Sequence, residues 1–307
     1  MFLILHRHYK NSGILNCLRG KSIPSNVSEG FLLTLQDRIR IPWYGGARKI
    51  PPDVISPAVF VPVVLVISTM GIWWTVTTFT LTFISLLYIS TFASIRKSYF
   101  FLTWTIASLV SLISIFEFLV VPYLEILIHE NIILVLILSA CVICVRILRA
   151  KTARLQFVEN EIGDREKVLN HCSFCHVVVP EKDYHCLWID TCIGRHNRRL
   201  SFLAIILAIL FLLYNANLTL TTVCHPFLMY NVILLPDDCS EVYEQFEYSL
   251  CFVGGVYSMC IGILLILSLT YRVLLFSFTA FRLDKLSSIV SMVCHHWINP
   301  YCRRTIK

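Results

Sequence analysis

The chain has 307 residues, 57% of them hydrophobic and 15% charged, with a formal net charge of +7. A composition this apolar excludes an ordinary soluble globular domain and indicates an integral membrane protein. The positive balance does not point to nucleic acid, because the basic residues are spread over several segments and no aromatic-interleaved basic patch occurs.

Residues 1–53 carry eight Lys or Arg, from Arg7 to Lys49, and no apolar run long enough to span a bilayer. They read as a soluble basic arm. The opening Met1–Leu5 run is too short for a signal-peptide core, so no cleaved leader is expected. From Val54 to Ile95 there is no charged residue, a stretch about twice the ~20 residues that one helix needs to cross. Two helices with a tight turn near Gly71 to Thr78 fit it, with Trp73 and Trp74 as interfacial anchors. Arg96 and Lys97 then mark a turn on the basic side. A third span is expected from Tyr99 to Tyr123 and a fourth from Asn131 to Leu148. Arg149, Lys151 and Arg154 follow. A fifth runs over Leu200–Val223, an acidic loop passes through Asp237, Asp238, Glu241, Glu244 and Glu247, and a sixth covers Tyr248–Tyr271.

The expected fold is therefore an all-α polytopic membrane protein of about six transmembrane helices. A basic arm (1–53), spans one to four (54–148), a Cys-rich domain (149–199), spans five and six with the acidic loop (200–271) and a basic tail (272–307) follow in order. All 26 Lys and Arg fall in segments 1–53, 96–97, 146–199 and 272–307, which this topology puts on one side. The positive-inside rule makes that side cytosolic, together with both termini and the Cys-rich domain. Reduced thiols are expected there. Cys224 and Cys239 flank the non-cytosolic loop, where the alternatives are a disulfide and simple apolar packing. Cys141 and Cys144 lie within a span and read as lipid-facing or helix-packing residues.

The chemistry concentrates in Cys172 to Phe202, CSFCHVVVPEKDYHCLWIDTCIGRHNRRLSF. Cys172 and Cys175 are spaced to turn back onto one tetrahedral ion, and His185 and Cys192 can complete a zinc site if the loop folds over. Buried or incidental thiols are the alternative, and Cys186 competes as a further ligand.

At these residues the sequence resembles the DHHC family of protein S-acyltransferases, the palmitoyltransferases. Asp183, Tyr184, His185 and Cys186 sit where that family has Asp-His-His-Cys, followed by Trp188, Cys192, Gly194, Asn197 and Phe202 at its spacing. Upstream, Cys172-x2-Cys175, Pro180 and Lys182 match the start of its cysteine-rich domain. Both halves share His185 and Cys186, so the domain reads as internally shortened, lacking a segment with two more cysteines and a further His-Cys pair. The family domain uses two zinc sites; here at most one structural zinc is implied, on Cys172, Cys175, His185 and Cys192.

The resemblance implies a multi-pass endomembrane protein of the ER or Golgi, with palmitoyl-CoA or a similar acyl-CoA as co-substrate. Its partners would be membrane-associated proteins with membrane-proximal cysteines, and the bilayer itself. Cys186 would be the nucleophile and Asp183 its catalytic neighbour. The family's basic histidine is replaced by Tyr184, whose unperturbed pKa of about 10 makes it a poor base at neutral pH. His176 and His196 are weaker substitutes for that base. Trp188 and Phe202 are expected to pack at the membrane-proximal base of the domain. A catalytically inactive relative that binds or assembles with other proteins is the alternative function.

Overall fold

The computed structural model describes residues 40–43, 46–49, 51–93, 99–123, 126–154, 171–172, 174–175, 177–179, 182–229 and 233–297. The first 39 residues of the basic arm, Lys167, His176 and Pro180 lie outside these. A short hairpin, β1 (Arg40–Trp43) with β2 (Gly46–Lys49), precedes the first helix.

Helix α1 (Pro52–Ser68) begins with proline, whose fixed φ suits the first helical turn, and with Asp53 at the positive end of the helix dipole. Its 17 residues reach about 26 Å, short of the roughly 30 Å hydrocarbon core. The first expected span is thus shorter than its neighbours. The chain turns at Thr69–Gly71, the near edge of the expected turn. Gly71 takes φ +149°, a conformation that side chains rarely adopt. Thr75 Oγ1 donates to the Ser68 carbonyl at 2.7 Å, and Ser68 and Thr78 hydroxyls meet at 2.6 Å. These bonds tie α1 to α2 (Ile72–Ala93) across the turn. Trp73 is 81% exposed, as an interfacial anchor should be.

Helix α3 (Phe100–Ile115) continues through a π-helical turn, Phe116–Val120, and ends at Tyr123. Helix α4 spans Ile128–Arg154 and α5 Arg198–Val223; α6 runs from Phe246 to Trp297, with a candidate membrane span over Phe246–Leu274 among the described residues. Five helices, α2 to α6, are long and apolar enough to cross a membrane. Apolar side chains such as Leu81, Leu136, Ile147 and Leu267 project outward from them, a surface that water would not tolerate but lipid would.

Helix α5 is the centre of the bundle: half of its apolar stretch is buried, against 11% for α2. It packs on α6 closely enough that a Cβ at Gly255 would meet Leu220 at 2.9 Å. Lipid supplies little hydrophobic drive for helix association, so close approach and interhelical hydrogen bonds matter more. Asn215 of α5 donates to Ser258 of α6 at 2.9 Å. Tyr257 of α6 accepts from Trp104 Nε1 at 3.2 Å and shares a 2.8 Å bond with Ser108. Around these contacts lie Leu65, Leu112, Phe116, Phe211 and Val253.

The two ends of α5 carry the non-helical parts. Before it come β3 (His171–Cys172), β4 (Val177–Val178), β5 (Lys182–Cys186) and β6 (Thr191–Gly194), pairing as two antiparallel hairpins. After it, β7 (His225–Met229) and β8 (Ile233–Asp238) form a further hairpin, closed by a disulfide between Cys224 and Cys239. Of the two readings of that cysteine pair, the disulfide is the one observed.

Candidate metal centre and neighbouring thiol

The β5–β6 register places His185 directly opposite Cys192, and Cys186 opposite Thr191. Four turn residues, Leu187 to Asp190, make this possible, and Asp190 takes φ +45° to close the turn. Aspartate tolerates that left-handed conformation better than most residues. On the other hairpin Cys172 pairs with Val177, so the intervening turn returns Cys175 towards Cys172.

The result is one cluster. The ligand atoms of Cys172, Cys175, His185 and Cys192 all lie within 4.8 Å of one another. Nδ1 of His185 is 3.8 Å from Cys172 Sγ, 3.4 Å from Cys175 Sγ and 3.5 Å from Cys192 Sγ, and the Cys175 and Cys192 sulfurs are 3.4 Å apart. Tetrahedral bonds of about 2.3 Å to sulfur and about 2.05 Å to nitrogen require edges of about 3.8 Å and 3.6 Å. The three-sulfur, one-nitrogen set therefore fits a tetrahedral ion, and it is complete without any residue from a missing segment.

Electrostatics in the cluster agree with a site that exchanges a proton for a cation. The hydrogen bond donated by Cys192 is the main influence pulling Cys175 down to about 4, with His185 acting in the same direction. The same bond pushes Cys192 well above the ordinary cysteine value. Metal binding at such a site displaces thiol protons. His185 is fixed from both sides: Phe174 stacks on it with centroids 4.9 Å apart, and its Nε2 faces Asp190 Oδ1 at 3.5 Å. A carboxylate on the outer nitrogen of a ligating histidine sets its tautomer and raises its basicity.

The base of the domain is held by buried polar side chains. Asn197 accepts from the Gly194 N–H at 3.0 Å and donates to the Cys192 carbonyl at 2.9 Å. Thr152 of α4 also donates to that carbonyl, at 3.2 Å, and receives the Thr191 hydroxyl at 3.1 Å. Asn197, rather than a left-handed Gly194, therefore makes the turn after β6.

Cys186 points away from the ligand quartet. It packs with Tyr184 and Ile189 against Cys144 and Leu148 of α4, Ile193 of β6 and Ala204 of α5. Burial there pushes its thiol up, only partly offset by hydrogen bonds from the backbone at Ile189 and Trp188. Cys144 thus packs between helices, and Cys141 Sγ donates to the Ala204 carbonyl at 3.7 Å. Trp188 lies edge-on to Phe101 at 4.9 Å, and its carbonyl accepts from Thr105 of α3 at 3.2 Å, so it rests against the bundle as expected.

Asp183 is exposed, and both its oxygens are taken by Arg198 at 2.8 Å. The carboxylate beside His185 is instead Asp190. His196 has both ring nitrogens buried without a partner among the described residues, and burial, with Lys151 nearby, lowers its pKa. Sequence reasoning missed Asp190, Thr152 and Arg272, whose guanidinium lies over the Tyr184 ring. The position of Asp190 between His185 and Cys192 was the one local signal for it.

A family model described as DHHC palmitoyltransferase matches residues 151–287. Palmitoyltransferase ZDHHC23-B of Danio rerio is 25% identical over 76% of this chain and 68% of its own length. Palmitoyltransferase ZDHHC23 of Homo sapiens is 32% identical over 91 residues, 30% of this chain and 22% of that protein. Palmitoyltransferase erf2 of Schizosaccharomyces pombe is 41% identical over 49 residues, 16% of this chain and 14% of that protein. No solved structure matches the chain.

Proposed function

Since the chain belongs to the DHHC-type protein S-acyltransferase family, we propose that it transfers a fatty acyl group from acyl-CoA, through a thioester on Cys186, to cysteines of membrane-associated proteins. The observation that carries this reading is the position of Cys186. It adjoins His185 of the four-ligand cluster on a hydrogen-bonded strand, yet packs against the membrane helices α4 and α5. A reactive sulfur anchored at that boundary can meet a lipid-borne thioester.

The metal is zinc, held by Cys172, Cys175, His185 and Cys192; it supplies rigidity to a domain whose own buried cluster, among the described residues, is small. In the first half-reaction the Cys186 sulfur attacks the acyl carbonyl carbon, its proton leaves, and the carbon–sulfur bond to coenzyme A breaks to release the free thiol. In the second, a substrate cysteine attacks the new thioester and regenerates the Cys186 thiol. Asp183, bound to Arg198, fixes the strand from the α5 side. Room for the acyl chain exists in an apolar cleft of about 550 Å³ between α1 and α3, lined by Ala58, Pro62, Ala107 and Ser111. Its lining residues Thr103 and Ile106 flank Thr105, whose hydroxyl donates to the Trp188 carbonyl.

The Cys-rich domain and both termini lie in the cytosol and the hairpin beyond α5 in the lumen of an endomembrane. The one-sided Lys and Arg distribution supports this, as does the Cys224–Cys239 disulfide, which an oxidising lumen would preserve. The inactive-partner alternative draws on Tyr184 and the shortened Cys-rich domain, while the relatives named above are all palmitoyltransferases.

The test is incubation with labelled palmitoyl-CoA. A hydroxylamine-sensitive label should form and vanish in Cys186→Ser with metal content retained; label persisting in that variant removes Cys186 from the mechanism.

A further inference from the structure

Arg272 lies near the end of the candidate membrane span of α6, and charge topology alone is reason enough for a basic residue there. Its placement is more specific. The guanidinium carbon lies 3.9 Å from the centroid of the Tyr184 ring, well inside the ~6 Å within which a cation and an aromatic face attract. The residue is part-buried rather than extended into water.

The rest of Tyr184 is enclosed by apolar groups, packing on the cluster of Cys144, Leu148, Ile193 and Ala204 together with Cys186. The ring is therefore gripped between α6 on one hand and the cluster from α4, β6 and α5 on the other. Among the described residues the Tyr184 hydroxyl has no hydrogen-bond partner. An aromatic face is in use; a phenol is not.

Tyr184 and Cys186 are two residues apart on β5, so they share a face of the strand. The irregularity in the β5–β6 pairing falls between Lys182 and Tyr184, ahead of this pair, and leaves its alternation intact. Holding the Tyr184 ring therefore holds the backbone that carries Cys186. Asp183, between the strand's start and Tyr184, is gripped by Arg198 of α5 in the same region. Two arginines from two helices thus fasten adjacent residues of the strand.

We propose that Arg272 is a positioning residue for the Cys186 reaction, latching β5 to α6 through the face of Tyr184, and that Tyr184 serves as an aromatic platform rather than as a proton carrier. Reaction geometry is sensitive to such supports, since a displacement of about 1 Å can cost on the order of 100-fold in rate. The latch touches the strand and not the acyl donor, so its loss acts on the rate at saturating acyl-CoA and leaves half-saturation unchanged. The rate readout rests on the acyltransferase reading above; the accessibility readout does not.

The experiment compares the full-length protein in lipid nanodiscs with Arg272→Met, Tyr184→Leu and the double variant, using Arg272→Lys and Tyr184→Phe for rescue. Thioester formation from palmitoyl-CoA and alkylation of Cys186 by iodoacetamide are both followed, with metal content as the check on folding. Each disruptive variant should slow thioester formation by about tenfold at saturation and change the alkylation rate, and the double variant should be no worse than either single. Phenylalanine should restore the rate that leucine loses, with an unaltered pH profile, and lysine should restore part of it. Additive effects of the two sites overturn the latch. Equal loss in Tyr184→Phe and Tyr184→Leu, with an altered pH profile, overturns the platform role. If the parent protein takes no label, the acyltransferase reading fails, and non-additive alkylation changes then sustain the latch while additive or absent ones overturn it.

Discussion

At one end of α5 three sulfurs and an imidazole nitrogen converge within 4.8 Å, while at the other Cys224 and Cys239 are joined covalently, 15 residues apart in sequence. Both regions are built on short hairpins. The difference lies in the number of donors that the strands bring together. The β5–β6 register sets His185 against Cys192, and the neighbouring turn adds Cys172 and Cys175. Two hairpins delivering four donors make a tetrahedral site, whereas two sulfurs flanking one hairpin can only bond to each other. Carboxylates mark the contrast again: Asp190 supports the histidine, while Asp183, nearer to it in sequence, serves an exposed ion pair.

Removing a ligand gives the largest effect that can break this comparison. Cys172→Ala or Cys192→Ala should take bound zinc from one per chain to none, measured by elemental analysis, and should raise hydrogen exchange across residues 171–197. Apparent binding energies of about 10 kcal/mol or more are at stake in structural zinc sites. Two zincs per chain in the unaltered protein would contradict the ligand set.

The disulfide should matter less and independently. Cys239→Ser is expected to cost about 3 kcal/mol, the loop-closure value for a loop of this size, read as a lower midpoint of thermal unfolding. Metal content should not change. Zinc loss on opening this disulfide would show that the two regions are not separate units.

Asp190→Asn sharpens the comparison within the metal centre. Asparagine accepts the left-handed turn, so the variant isolates the carboxylate; metal affinity should fall about 10- to 100-fold in chelator competition. Unchanged affinity would remove Asp190 from the site. Asp183→Asn should give the smallest effect, no more than about 1 kcal/mol, because an exposed ion pair is screened by solvent. Its zinc affinity should match the parent's, and a drop as large as that of Asp190→Asn would erase the distinction between the two carboxylates.

The sequence by itself determined which segments are long and apolar enough to cross a bilayer, and it offered the four residues that the structure gathers into the cluster. Long apolar runs declare themselves because a bilayer leaves the backbone no partner but its own helix, and the expected third to sixth spans overlap α3 to α6, α6 continuing past Tyr271 to Trp297. The quartet was legible because Cys172-x2-Cys175 is a local turn and His185 and Cys192 belong to one hairpin. Tertiary structure alone decided that α5 is central and α2 peripheral, since both are long and apolar enough to cross a membrane and only packing distinguishes a neighbour helix from lipid. It also decided that Asp190 rather than Asp183 faces His185, through a left-handed turn, and that Arg272, 88 positions beyond Tyr184 in the chain, lies on its ring. Such choices depend on the arrival of distant segments at one place, and a contact of that kind leaves no periodicity or spacing in the residues that make it.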